Sequence, residues 1–203
     1  RVAEDVHVEK LAVVFVRREL RHPDPVFQPR FFRIRPFAAA NAGISASNLA
    51  FYTVLLATPI LLTRHLDWSS LQVGVALALL SAPMVVFSPV GGRLADRLGR
   101  RPPSVAGCVI LALGLLPLAI APGLSPTALL PCLCLMGAGV GLSTAGLQAS
   151  AIEALAPEQA GVAAGVFSTS RYVGSFAGSI ALARLLEEGQ GLAGFQTVFL
   201  IAF

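Results

Sequence analysis

Asp96 is the one acid among four arginines in the stretch Gly91-Gly92-Arg93-Leu94-Ala95-Asp96-Arg97-Leu98-Gly99-Arg100-Arg101-Pro102. A lone carboxylate in such company can pair with Arg93, Arg97 or Arg100, or cap a helix N-terminus. An ion pair at a water interface is a weak staple, but it suits a latch between two conformers of similar free energy. Gly91, Gly92 and Gly99 would permit tight backbone turns around it. A second candidate is Arg171, the only strongly charged side chain well inside an apolar stretch. A charge in hydrocarbon is costly and faces a cavity or a partner, so Arg171 is a candidate substrate or coupling contact. Snorkelling, or pairing with an acid outside this chain, is the plainer reading. Asn41, Ser45, Asn48 and Tyr52 follow helical spacing and share one face. Such a polar stripe either hydrogen-bonds between helices or lines a water-filled cavity, which makes Asn41, Asn48 and Tyr52 candidate contacts as well.

Other chemistry finds little to work with. His7, His22 and His65 fall outside the apolar spans, so no base is placed beside a nucleophile there. Cys108, Cys132 and Cys134 lie within apolar spans and read as small apolar residues, with no metal site and no disulfide implied. An enzyme is disfavoured on these grounds, and no cofactor is implied. No aspartate or glutamate occupies the middle of a span, so a proton-carrying group would have to lie elsewhere.

The elements that must position these residues are membrane helices. The chain has 203 residues, of which 55% are hydrophobic and only 13% charged, and its mean hydropathy is +0.75. That composition is a multi-span membrane protein's. A bilayer crossing takes about 20 apolar residues, which predicts spans at about 36–62, 69–90, 104–121, 127–152 and 160–186, with an incomplete one at 192–203. Residues 1–35 form a charged head ending in Phe31-Phe32-Arg33-Ile34-Arg35-Pro36, where arginines sit at headgroups and aromatics at the interface. The stretch 91–102 is expected to be a loop between the second and third spans. The net charge of +4 is concentrated at span ends, so the arginines read as topology signals and not as a nucleic-acid surface. Placing 1–35 in the cytoplasm puts 91–102 there too. No signal peptide is visible. The chain starts at Arg1 and stops at Phe203 in an apolar run, which suggests a fragment.

Glycine spacing adds packing detail. Gly137/Gly141, Gly161/Gly165 and Gly174/Gly178 are small-x-x-x-small pairs that let helix backbones approach closely. Gly137-Ala138-Gly139-Val140-Gly141 is no dinucleotide fingerprint, because no strand precedes it.

The run Gly92-x-Leu94-Ala95-Asp96-Arg97-x-Gly99-Arg100-Arg101, set between two apolar spans, resembles the signature loop of the major facilitator superfamily. The fourth span lacks the arginine usual in N-terminal halves of drug exporters. Its glycine run, Ala156-Pro157-Glu158-Gln159-Ala160-Gly161 and Ser168-Thr169-Ser170-Arg171-Tyr172-Val173-Gly174 are similar to the C-terminal half. The connector from Arg21 to Phe37 resembles the one in fourteen-helix drug–proton antiporters. The resemblance covers about residues 17 to 203. It implies an all-α six-helix half of a rocking-bundle transporter in the cell membrane, with its last helix incomplete. It implies as partners a small-molecule substrate, protons, the lipid bilayer and an N-terminal half absent from this sequence. It gives Gly92, Asp96, Arg97, Gly99, Arg100 and Arg101 the role of conformational latch. The alternatives are a facilitator for a lipid or metabolite, and a truncated half that does not transport and serves as a membrane scaffold.

Overall fold

The computed structural model describes residues 29–65, 67–120 and 126–187. Most of the expected charged head (1–35), the tight turn at 122–126 and the sixth span (192–203) therefore lie outside the described residues, apart from 29–35 and Pro126.

Five long helices follow one another. A 3-10 turn, Pro29–Arg33, leads into α1, Arg35–His65. Pro36 falls in the first turn of α1, where a missing N–H costs nothing. Asp67 then takes a left-handed backbone (φ 50°) in the short connection, a conformation that Asp tolerates better than most residues. Helix α2, Ser70–Leu98, opens on a capping box. The Ser69 N–H donates to Gln72 Oε1 at 2.9 Å, and the Gln72 N–H donates to Ser69 Oγ at 3.4 Å. Helix α3 is Arg101–Ile120, with Pro102 and Pro103 in its first turn. Helix α4 is Pro126–Glu153. A second 3-10 turn, Pro157–Gln159, leads into α5, Ala160–Glu187.

The stretch 91–102 differs from expectation. It is not a loop, because α2 continues through Gly91–Leu98 and only Gly99 and Arg100 stand between it and α3. The reason is packing. A methyl group on Gly91 would collide with the Leu142 carbonyl of α4, so this glycine brings two helices together within regular helix. Only Gly99 makes the turn expected of all three, at φ 87°.

Consecutive helices run antiparallel, with α4 packed between α2 and α3, while α1 packs mainly against α5 and then α4. Burial follows this order. The most apolar stretch of α4 is 61% buried, against 17% for α2 at the periphery. The glycine run in α4 explains its central place. Residues two apart lie on opposite sides of a helix. Gly137 and Gly141 accordingly meet Leu80 and Met84 of α2, while Gly139 meets Gly107 and Leu111 of α3. Gly174 and Gly178 make the same close approach to Ser45 and Leu49 of α1. Gly161 and Gly165 do not: nothing among the described residues lies within 4 Å of a methyl built there.

Two buried clusters occupy the two ends of the bundle. The larger joins Ala50–Leu62 of α1, Val73–Leu80 of α2, Leu111–Ala119 of α3 and Leu129–Val140 of α4. The smaller joins Phe31, Phe37, Ala40 and Ile44 to Leu147 and Ala151 of α4 and to Ala163, Val166 and Phe167 of α5. Helices α1 to α4 are long and apolar enough to cross a membrane. Helix α5 is 28 residues long but is not among them, since Ser168-Thr169-Ser170-Arg171-Tyr172 lowers its apolar content. The protein is an all-α membrane protein of multi-pass type.

Candidate functional site

The α2–α3 junction, the C-terminal end of α4 and the N-terminal ends of α1 and α5 share one end of the bundle. There Gly99 turns the chain so that Arg100 projects between the last turns of α2 and α4. Its Nη1 donates to Asp96 Oδ1 at 2.5 Å. Its Nη2 donates to Glu153 Oε1 at 2.7 Å, and Nε donates to the same carboxylate at 3.1 and 3.2 Å. The Glu153 contact is the planar two-pronged grip that arginine makes with carboxylates. Ser104 Oγ donates to the Arg100 carbonyl at 2.7 Å and ties the turn to α3.

The electrostatics explain why an arginine stands there. Asp96 and Glu153 each sit in the last turn of a helix, where the macrodipole is already negative. Arg100 answers two carboxylates and two helix ends at once. The Glu153 hydrogen bonds, then the Asp96 bond, raise the guanidinium pKa beyond its already high value, so Arg100 stays charged at any physiological pH. All three groups remain accessible, with side-chain exposures of 31% for Arg100, 71% for Asp96 and 55% for Glu153.

Of the other residues named for a latch, Arg97 and Arg101 are exposed and enter no ion pair among the described residues. Gly92 has only Ala145 near it, at 3.9 Å from an added methyl, so Gly91 is the position that admits no side chain. Glu153 was not among the expected residues. It lies 53 positions from Arg100, and no spacing rule joins them. The available signal was a single acid closing a long uncharged span.

The second set is more dispersed. Asn41 is buried, donates to the Phe37 carbonyl at 2.8 Å and accepts from Ser170 Oγ at 2.9 Å. Ser45 Oγ donates to the Ser170 carbonyl at 2.7 Å. Asn41 and Ser45 thus join α1 to α5. Asn48 is buried and donates to the Ile44 carbonyl at 3.0 Å within its own helix. Tyr52 is exposed, with its ring edge-on to Phe51. Arg171 is half-buried, its guanidinium 5.4 Å from the centre of the Tyr172 ring. Among the described residues no hydrogen bond or ion pair joins Arg171 to Asn41, Asn48 or Tyr52. None groups three His, Cys, Asp or Glu side chains as a metal site would require.

Comparison with known proteins gives the same family as the signature. The family model described as Major Facilitator Superfamily matches residues 11–203. An uncharacterized MFS-type transporter, YvkA of Bacillus subtilis, is 32% identical over 191 residues, covering 94% of this chain and 41% of the relative. Multidrug resistance protein Stp of Mycobacterium tuberculosis is 34% identical over 173 residues, covering 85% of this chain and 32% of the relative. A multidrug resistance protein B homolog from the same species is 28% identical over 169 residues, covering 82% and 31%. The chain spans about a third to two fifths of the length of these curated relatives.

Proposed function

Since this chain belongs to the major facilitator superfamily, a family of membrane transporters and not of enzymes, we propose that it forms the C-terminal half of a secondary transporter that exports small organic compounds in exchange for protons. The observation that carries this reading is the Asp96–Arg100–Glu153 bridge between the ends of α2 and α4. It consists of accessible groups across two helices, so it can be made in one conformer and broken in another at small cost. Alternating access in facilitator transporters is a rocking of two halves about a central site. A bridge of this kind is suited to hold one of the end states.

In this reading 29–35 and 91–102 are cytoplasmic, as arginine-rich ends are. Export of drugs is supported by the names of two relatives, which are multidrug resistance proteins. Arg171, Asn41, Asn48 and Tyr52 are the contacts proposed for substrate or coupling in this half. The protonatable carboxylate is assigned to the other half, because no described helix carries an Asp or Glu in its middle.

The test is ethidium transport by the full-length transporter in proteoliposomes with an imposed pH gradient. Transport that requires the gradient, and falls in Arg100→Gln, is the expected result. Gradient-independent transport would remove proton coupling, and wild-type transport by Arg100→Gln would remove the latch.

A further inference from the structure

Phe31 sits in the 3-10 turn before α1, between Arg30, Phe32 and Arg33, all three of them exposed. Phe31 itself is only 8% exposed. Its ring meets that of Phe37 edge-on with centroids 6.0 Å apart, and Phe37 is wholly buried. The cluster these rings enter also contains Ala151 of α4, and Ile152, Ala154 and Leu155 pack against it. Those residues bracket Glu153. The residues on either side of Glu153 in the chain thus share one apolar cluster with Phe31.

An accessible ion pair is only as well formed as the backbones that present its two groups, because ordering two free side chains cancels much of the attraction. The Arg100 side is fixed by Ser104 and by the helix contact at Gly91. The Glu153 side ends α4, and the residues on both sides of Glu153 pack in or against the small apolar cluster. We propose that Phe31 is a positioning residue for the Glu153–Arg100 contact, and that movement of the Pro29–Arg33 turn loosens or sets that contact through the small cluster. This rests on the latch reading above for its relevance to transport, but the positioning can be measured without any substrate.

The experiment is amide hydrogen exchange on the purified full-length transporter, followed at residues 150–156 and 97–101. Phe31→Ala is expected to speed exchange on the order of tenfold at 150–156, and also at 97–101 across the ion pair. Phe31→Leu, which restores apolar bulk, should return both segments toward wild type. In a Glu153→Gln background, Phe31→Ala should leave 97–101 unchanged, because the contact that carries the effect is already gone. Faster exchange at 150–156 alone would make Phe31 a packing anchor and overturn the inference, as would no change or equal acceleration in all five helices. Ethidium efflux by Glu153→Gln decides the latch separately: wild-type efflux removes the latch, while the exchange data still decide the positioning.

Discussion

Arg100 grips Glu153 across 53 residues of sequence, through three hydrogen bonds of 2.7, 3.1 and 3.2 Å. The same guanidinium holds Asp96 one turn back. The three side chains therefore form one unit, and their substitutions should not act alike. Removing Arg100 leaves two carboxylates facing each other at two negative helix ends. Removing one carboxylate leaves the arginine with the other. Arg100→Gln is expected to reduce ethidium efflux by the full-length transporter more than Asp96→Asn or Glu153→Gln, each of which should lose activity severalfold at normal membrane levels. Efflux assays with immunoblots on membrane fractions check the order. Equal effects of all three would mean that the bridge does not act as described.

Gly91 and Gly92 are neighbours with opposite requirements. A methyl at Gly91 meets the Leu142 carbonyl, a backbone atom that cannot move aside, whereas one at Gly92 finds Ala145 at an ordinary 3.9 Å. Gly91→Ala should part α2 from α4 at a cost of about 1–3 kcal/mol. Gly92→Ala should be neutral or slightly stabilising, since alanine is favoured over glycine in a helix by about 1 kcal/mol. Thermal unfolding of the two variants in detergent should move in different directions. A stable Gly91→Ala protein would argue against the close α2–α4 contact.

These positions show how the sequence could and could not be read. Helix order and the Gly137/Gly141 and Gly174/Gly178 contacts were legible, since each rests on composition or on spacing within one helix. The boundary at Gly91 was not. Glycine beside arginine has the composition of a loop, and only the facing Leu142 reveals a helix contact. The pairing of Glu153 with Arg100 was invisible for a related reason, because the two are brought together by the antiparallel return of α3 and α4. Gly161 and Gly165 have the spacing of a contact but no neighbour among the described residues. Spacing marks a face that can be approached without saying what approaches it.

Ser170 and Asn41 make a further test of the α1–α5 seam. Ser170→Ala would leave the buried Asn41 Oδ1 without the hydroxyl that it accepts from. Hydrogen bonds between membrane helices contribute about 0.6 kcal/mol on average and up to about 1.7. A small drop in unfolding temperature is therefore expected, with membrane insertion retained. Thr53 makes the opposite case. Its hydroxyl is buried with no partner among the described residues, so Thr53→Val should hold or raise the unfolding temperature. A large loss in Thr53→Val would show that the hydroxyl has a partner in the native membrane protein.

Arg171 follows Ser170 directly, so one turn of α5 carries both a seam contact and, among the described residues, the only mid-helix charge. Ser170 faces α1, while Arg171 lies on the flank beside Tyr172. The two residues should therefore separate in assay: Ser170→Ala acts on stability, and Arg171→Ala on transport. Arg171→Lys keeps a cation that can lie over the Tyr172 ring but loses the planar fork. If Arg171 contacts the substrate through its fork, Lys should transport nearly as poorly as Ala. If it serves only as a charge, Lys should recover most of the activity. Wild-type ethidium transport by Arg171→Ala would leave the arginine a structural or snorkelling residue and exclude it from the transport path.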